Sequence, residues 1–240
     1  MNIYQNILEA KAKNKKLLAV LIDPEKMDLE NVSSFFEKVH QSFATHIFIG
    51  GSTVDDNVTE RIVNKVKHLT KLPVVLFPGD VTQISDKADA LLFLSLISGN
   101  NSEYLIGKHV QAASTLRNSN LEVIPTGYIL IENGKPTAVE KVTQTKPLSR
   151  DNTKHIIDTA KAGELLGMQL LYLEAGSGAI ESVPNEIISF VKKDSTIPLI
   201  VGGGIRSLEQ LEMAYKHGAD LVVIGTAFEE DESFFNELKK

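Results

Sequence analysis

Apolar residues fall along this chain in short unbroken runs, separated by stretches with helical spacing. Leu17-Leu18-Ala19-Val20-Leu21-Ile22 is the first run, and it stops at Asp23-Pro24. Unbroken runs suit strands buried on both faces, as in a parallel sheet. Val32, Phe35, Phe36 and Val39 then recur on one face of a predicted helix, capped by Asp28 and continuing to Phe43. Residues 45–49 predict a second strand ending in Gly50-Gly51-Ser52-Thr53, and residues 57–69 a helix. A third strand covers 73–77 and ends in Pro78-Gly79-Asp80. Further strands are expected over 90–94, 121–125, 170–174, 197–201 and 221–224. Helices are expected over 102–116, 151–166 (capped by Asp151), 185–193, 207–217 and 230–239.

Two stretches break this rhythm. Residues 78–89 are near the minimum of about a dozen for a parallel crossover, so a turn or extended segment is expected there instead of a helix. Residues 126–150 are the opposite case. Gly127-Tyr128-Ile129-Leu130-Ile131 reads as further strand, Asn133-Gly134-Lys135-Pro136 as a turn, and the stretch from Val139 to Leu148 is polar and threonine-rich. A connection this long is usually a lid or a substrate loop. Eight strands alternating with helices in 240 residues predict an α/β fold: a single (β/α)8 TIM barrel spanning residues 1–240, with a reduced or missing helix between strands 3 and 4. An open doubly wound sheet is the alternative.

Composition narrows the function. Hydrophobic residues make up 42% and charged residues 23%, enough for a buried core under an ordinary polar surface. There are no cysteines, which excludes disulfides, thiolate metal sites and a thiol nucleophile. No apolar run is long enough to span a membrane. Met1-Asn2-Ile3-Tyr4-Gln5 lacks the basic and apolar regions of a signal peptide, so a cytoplasmic location is the expectation. The formal charge is −6, and the only basic cluster is residues 11–16, read as the solvated end of an N-terminal helix, so no nucleic-acid partner is expected. An acidic chain that binds phosphate must use backbone dipoles or a metal in place of a basic wall.

In such barrels the active site lies at the C-terminal ends of the strands. Those ends carry Asp23, Gly51-Ser52-Thr53, Gly79-Asp80, Gly127-Tyr128, Tyr172 and Glu174, Gly202-Gly203-Gly204, and Gly225-Thr226. The last two glycine turns, one βα unit apart, suit the phosphate cup formed after strands 7 and 8, where backbone N–H groups approach an anion closely. Tight turns that need glycine for geometry alone are the competing explanation. Arg206, one residue past the glycines, is either a phosphate partner or a solvent-facing side chain, and is not counted among the site residues. Asp23 with Ser52 offers hard oxygen ligands suited to Mg²⁺ beside a substrate phosphate, or else Asp23 orients the turn before Pro24. Glu174 ends an otherwise apolar strand and is a candidate general base, or a stabiliser of developing positive charge. His40, His46, His68, His109, His155 and His217 show no metal-ligand spacing.

Beyond the generic barrel, Leu21-Ile22-Asp23-Pro24-Glu25-Lys26, Ile49-Gly50-Gly51-Ser52, Gly127-Tyr128, Tyr172-Leu173-Glu174-Ala175-Gly176-Ser177-Gly178, Val201-Gly202-Gly203-Gly204-Ile205 and Ile224-Gly225-Thr226 occur in order along nearly the whole chain. Together they resemble the geranylgeranylglyceryl phosphate synthase family, which includes bacterial heptaprenylglyceryl phosphate synthases of PcrB type. The resemblance implies a prenyltransferase of lipid biosynthesis that joins sn-glycerol 1-phosphate to a prenyl diphosphate through an ether bond, with Mg²⁺. It implies that Asp23 and Ser52 hold the metal. Tyr172, Leu173, Glu174, Ala175, Gly176, Ser177, Gly178, Gly203, Gly204, Gly225 and Thr226 would hold glycerol phosphate. Glu174, Tyr172 and Tyr128 would be catalytic. Tyr104 stands where family members carry an aromatic residue.

Leu21 stands where the shorter PcrB-type enzymes have lysine, and with the long 126–150 stretch it favours a C20 donor over C35. A dimer or hexamer is also implied, with at most peripheral membrane contact through the lipid product. Two rivals stand beside this reading: another phosphate-binding barrel of the histidine or tryptophan pathways, and an inert barrel that senses a phosphorylated or prenyl ligand.

Overall fold

The computed structural model describes residues 2–27, 30–52 and 58–239. Eight parallel strands close into a barrel in chain order: β1 (Leu17–Ile22), β2 (His46–Ile49), β3 (Val74–Leu76), β4 (Ala90–Leu96), β5 (Glu122–Leu130), β6 (Leu170–Glu174), β7 (Leu199–Gly202) and β8 (Leu221–Ile224). β8 returns to β1 with Leu17 opposite Leu221 and Val20 opposite Ile224, which excludes the open sheet. The strands are largely apolar because both faces are buried. Leu18, Val20 and Ile22 pack outward against helices, whereas Leu17 and Ala19 join Phe48, Val75, Leu92, Tyr172 and Val223 inside the barrel.

The helices are α1 (Ile3–Ala12), α2 (Val32–Gln41), α3 (Val58–Leu69), α4 (Lys108–Arg117), α5 (Ala138–Thr143), α6 (Thr153–Leu165), α7 (Asn185–Asp194), α8 (Leu208–Lys216) and α9 (Thr226–Glu230). α1 seals the barrel floor by placing Ile3 and Ile7 in the inner cluster. The carboxylate of Glu122, at the start of β5, accepts the N–H of Ile3 and, at 2.8 Å, that of Tyr4. It thus caps two of the N–H groups that a helix start leaves unpaired. Among the described residues no helix is long and apolar enough to cross a membrane.

Several boundaries differ from the sequence reading. Asp28, Thr53 and Asn57 lie outside the described residues. α6 is capped by Asn152, whose Oδ1 accepts from His155 N at 3.3 Å, rather than by Asp151. The C-terminal helix starts earlier than expected, at Thr226, and gives way to a 3₁₀ segment, Glu232–Leu238. The break falls at Asp231, which is extended and caps the second segment through Ser233 N. α4 is preceded by a π-helical turn, Glu103–Gly107.

Both irregular stretches take definite form. Residues 78–89 hold one 3₁₀ turn, Val81–Gln83, and no helix, as expected. The outer face of β4 therefore lacks the usual cover. β5 continues without interruption to Leu130, pairing with β4 from Ala90↔Glu122 to Leu96↔Tyr128. The threonine-rich stretch after it is not all loop: Thr137 accepts from Glu140 N at 3.1 Å and caps α5.

Candidate active site

At the C-terminal mouth of the barrel lies a cavity of about 1050 Å³, counting space open to solvent. Asp23, Ser52, Tyr128, Tyr172, Glu174, Ser177, Gly203, Gly204, Gly225 and Thr226 all line it, so most of the residues singled out in the sequence share one chamber. Leu173 and Ala175 do not present side chains to it. Strand alternation turns both outward into the helix-facing core, which leaves them only backbone to offer. Gly176 and Gly178 stand behind the lining, where their N–H groups bond Glu174 and Thr226.

Glu174 ends β6 at the chamber wall with 5% of its surface exposed. Its Oε1 accepts the Gly176 N–H at 2.5 Å. Burial pushes its pKa from 4.5 up to about 7, against the opposing pull of the Gly176 N–H and the Tyr172 hydroxyl. Tyr172, two residues earlier, points the same way. Its hydroxyl and Glu174 Oε2 both lie over Gly202, 2.4 Å and 3.0 Å from where a Cβ there would stand. That hydroxyl is buried and has no well-formed hydrogen bond, although it lies close enough to influence the carboxylate. An orphaned hydroxyl beside a carboxylate near neutrality suits a ligand hydroxyl arriving between them.

The floor beneath is aromatic. Phe77 stacks on Tyr172 with centroids 5.2 Å apart, and Tyr128 meets Tyr172 edge-on at 5.4 Å. Burial, then the charge of Glu174, drives both phenols well above their ordinary pKa, so they stay neutral. Phe77 was not among the residues chosen from the sequence. Its place at the end of strand 3 was the signal, passed over for Gly79-Asp80.

On the β6–β8 side, backbone shapes the chamber. Gly203 has φ of +83°, and a Cβ there would stand 2.4 Å from Glu174 Oε1 and 2.6 Å from Gly176 N, so no other residue fits. The 175–182 loop is held from outside. Asn133 Nδ2 donates to Ala175 O, Arg206 Nη1 to Ala179 O at 2.6 Å, and Arg150 Nη2 to Ser182 O at 3.0 Å. Thr226 Oγ1 accepts from Gly178 N at 3.2 Å and meets Ser177 Oγ at 3.2 Å. Arg206 therefore does not simply point to solvent: it takes a loop carbonyl and faces Glu230 at 3.4 Å.

Across the chamber, Asp23 Oδ1 accepts from Glu25 N at 3.1 Å and lies 3.1 Å from where a Gly51 Cβ would be. Its Oδ2 is 3.2 Å from Lys26 Nζ, which also reaches Glu229 at 2.9 Å. Asp23 thus orients its turn and still faces the chamber. One carboxylate and one hydroxyl, from Asp23 and Ser52, with no imidazole or sulfur beside them, match what Mg²⁺ takes from a protein when substrate phosphates complete its shell. Among the described residues no cluster of three or more acidic, histidine or cysteine side chains forms a metal cage.

A second space of about 830 Å³ opens from the first and shares Gly51, Ser52, Phe77, Tyr128 and Val139 with it. It runs down the outer face of β4, past Leu91 and Phe93, between Ile84 and the α4 residues His109 and Ala112. Tyr104 lines it and reaches Val142 O at 3.4 Å, and Lys108 crosses to Asp80 at 2.5 Å. Of the groove residues beyond the strand ends, the sequence had singled out only Tyr104.

The PcrB family model matches residues 10–240. A relative from Flavobacterium johnsoniae named geranylgeranylglyceryl phosphate synthase is 56% identical, covering 98% of this chain and 96% of its own. One of the same name from Zunongwangia profunda is also 56% identical, over 96% and 98%. The crystal structure of (S)-3-O-geranylgeranylglyceryl phosphate synthase from Thermoplasma acidophilum, in complex with sn-glycerol 1-phosphate, superposes with a TM-score of 0.92 at 32% identity, over 99% of this chain and 96% of that one. With its barrel, its glycine-walled chamber and these full-length matches, the chain belongs to the PcrB family.

Proposed function

We propose that the protein joins sn-glycerol 1-phosphate to geranylgeranyl diphosphate through an ether bond and releases diphosphate. The observation that carries this reading is the junction of two unlike spaces. A glycine-walled polar chamber meets an apolar groove at Phe77 and Tyr128, beside Asp23 and Ser52. An enzyme acting only on small phosphorylated metabolites would have no use for the groove, and an inert sensor none for a buried carboxylate near neutrality. The relatives' name and the ligand of the Thermoplasma acidophilum structure support the same pair of substrates.

The glycerol phosphate anion sits against the turns at Ser177, Gly203-Gly204 and Gly225-Thr226, where N–H dipoles meet its charge. Anchored there, it extends its terminal C3 hydroxyl to Glu174 and the Tyr172 hydroxyl. Ionised Glu174 takes the hydroxyl proton as the oxygen bonds to C1 of the prenyl chain. The bond from C1 to the diphosphate oxygen breaks, and its electron pair leaves with the diphosphate toward Asp23 and Ser52. Positive charge developing on the allylic carbons faces the rings of Phe77, Tyr128 and Tyr172, which stabilise it through their quadrupoles. Mg²⁺ held by Asp23 and Ser52 would neutralise the departing diphosphate. Holding both substrates in line is the protein's main contribution.

The test is direct. Labelled sn-glycerol 1-phosphate with Mg²⁺ and donors from C15 to C35 should give an ether lipid phosphate, best at C20. sn-Glycerol 3-phosphate should serve poorly. No product with any donor refutes the assignment, and a maximum at C35 moves the chain to the longer-donor group.

A further inference from the structure

The geometry points to Lys135 as a further phosphate-binding residue, the cationic side of a cup otherwise built from backbone. This inference rests on the glycerol phosphate reading above. The turn after β5 lies across the glycine loop. Asn133, 1% exposed, donates to Ala175 O, and its Oδ1 accepts from Lys135 N at 3.3 Å. Thr137, 2% exposed, places its methyl 2.3 Å from where a Gly176 Cβ would stand, so only glycine lets the two strips of backbone come so close. Between these two anchors Gly134 adopts φ of +88° and Lys135 projects over the loop. Its Nζ lies 3.6 Å from the position a Cβ would take on Gly178, the residue whose N–H bonds Thr226 at the cup.

The charges nearby single this ammonium out. Lys26 is held between Asp23 and Glu229. Arg206 is committed to Ala179 O and Glu230, and Arg150 to Ser182 O and Glu181. Among the described residues Lys135 Nζ has no carboxylate within 4.0 Å and no hydrogen bond. The chamber lining carries four carboxylates, Asp23, Glu25, Glu174 and Glu229, against two cations, Lys26 and Arg206, that are already committed, in a chain of net charge −6. A phosphate monoester carrying about −1.5 to −2 charges at neutral pH enters that surround against repulsion. An uncommitted ammonium on an anchored turn, at the rim of the N–H cup, offsets it. The long connection after β5 thus reaches the acceptor site twice, lining the chamber with Ala138 and Val139 and holding Lys135 over its glycine loop.

The test compares wild type with Lys135→Gln and Lys135→Arg by calorimetry, with sn-glycerol 1-phosphate and with inorganic phosphate, and by steady-state kinetics. Lys135 is exposed, so both variants should keep the wild-type Tm. Lys135→Gln should weaken both ligands about five- to tenfold, with kcat and the donor KM within about twofold of wild type. Lys135→Arg should restore affinity. Raising salt from about 50 to about 300 mM should weaken wild type more than Lys135→Gln, because the lost contact is the screened one. Equal affinity of Lys135→Gln and wild type for both anions, or equal salt dependence, overturns the inference. Should wild type bind inorganic phosphate but not sn-glycerol 1-phosphate, the substrate reading fails. A phosphate deficit in Lys135→Gln would still uphold Lys135.

Discussion

Replacing Glu174 by glutamine separates its chemical role from its structural cost. The carboxylate is buried, and its pKa rises from 4.5 to about 7. A folded-state pKa raised on an acid means that folding favours the protonated form. Stability is therefore fully present below the unfolded value and is lost as pH climbs through the folded one. A shift of two to three units corresponds to about 3 kcal/mol at pH 8, shrinking below about 1 kcal/mol at pH 5. Glutamine keeps the shape, can accept from Gly176 N, and can offer an N–H to the orphaned Tyr172 hydroxyl. Glu174→Gln should thus be more stable than wild type at pH 8 by up to about 3 kcal/mol, or several degrees in Tm, with little difference at pH 5. Turnover should fall by about a hundredfold or more while glycerol phosphate still binds. Denaturant melts at the two pH values and single-turnover assays measure both. Wild-type turnover should itself rise with pH through about 7, as the base ionises. A variant no more stable at pH 8, or one that retains kcat, would refute the placement of a charged base in a dry wall.

Three further outcomes follow from the same geometry. Ala112→Phe puts a ring into the lower groove and should cut kcat/KM for the C20 donor by about tenfold or more while sparing C15, read from a donor series. Gly203→Ala forces a Cβ into Glu174 Oε1 and a positive φ onto alanine; it should cost roughly 1–3 kcal/mol in melts and raise the KM for glycerol phosphate. Arg206→Met frees the Ala179 carbonyl and should raise that KM roughly fivefold, with kcat less affected and Arg206→Lys partly restoring it.

The barrel was legible because its signal is local. Runs such as Leu17-Leu18-Ala19-Val20-Leu21-Ile22 and Leu221-Val222-Val223-Ile224 are apolar at every position since both faces are buried, and glycine or aspartate marks where each ends. Glu174, Tyr172 and the glycine turns were found by the same rule, applied to strand ends. Arg206 escaped it, because its partner carbonyl lies 27 residues earlier in the chain and only the closed barrel brings the two together. The groove escaped as well. Leu91, Phe93 and Ala112 look like any core residues, and what makes them a lining is a missing neighbour. Asn152 took the cap expected of Asp151 for a smaller reason: both types serve, and spacing alone does not choose between adjacent residues.

The two connections of abnormal length leave different marks on the mouth: the short one opens the groove, and the long one borders both groove and chamber. Between β3 and β4 a dozen residues cannot build a helix that crosses and returns, so the outer face of β4 is only partly covered, by Ile84 and α4, and keeps an apolar groove. Such a face is costly in water unless something covers it, and a flexible isoprenoid chain is the kind of cover that can come and go. After β5 the opposite holds. More than a dozen residues fold back over the 175–182 loop, fixed by Asn133 and Thr137, and carry α5 to the rim where Val139 and Val142 meet the groove. That connection touches both spaces. Its turn lies against the loop assigned to glycerol phosphate, and its helix lies against the wall assigned to the prenyl chain. A segment that contacts both substrates while supplying no catalytic group can couple their binding, since ordering it for one lowers the entropic cost of ordering it for the other.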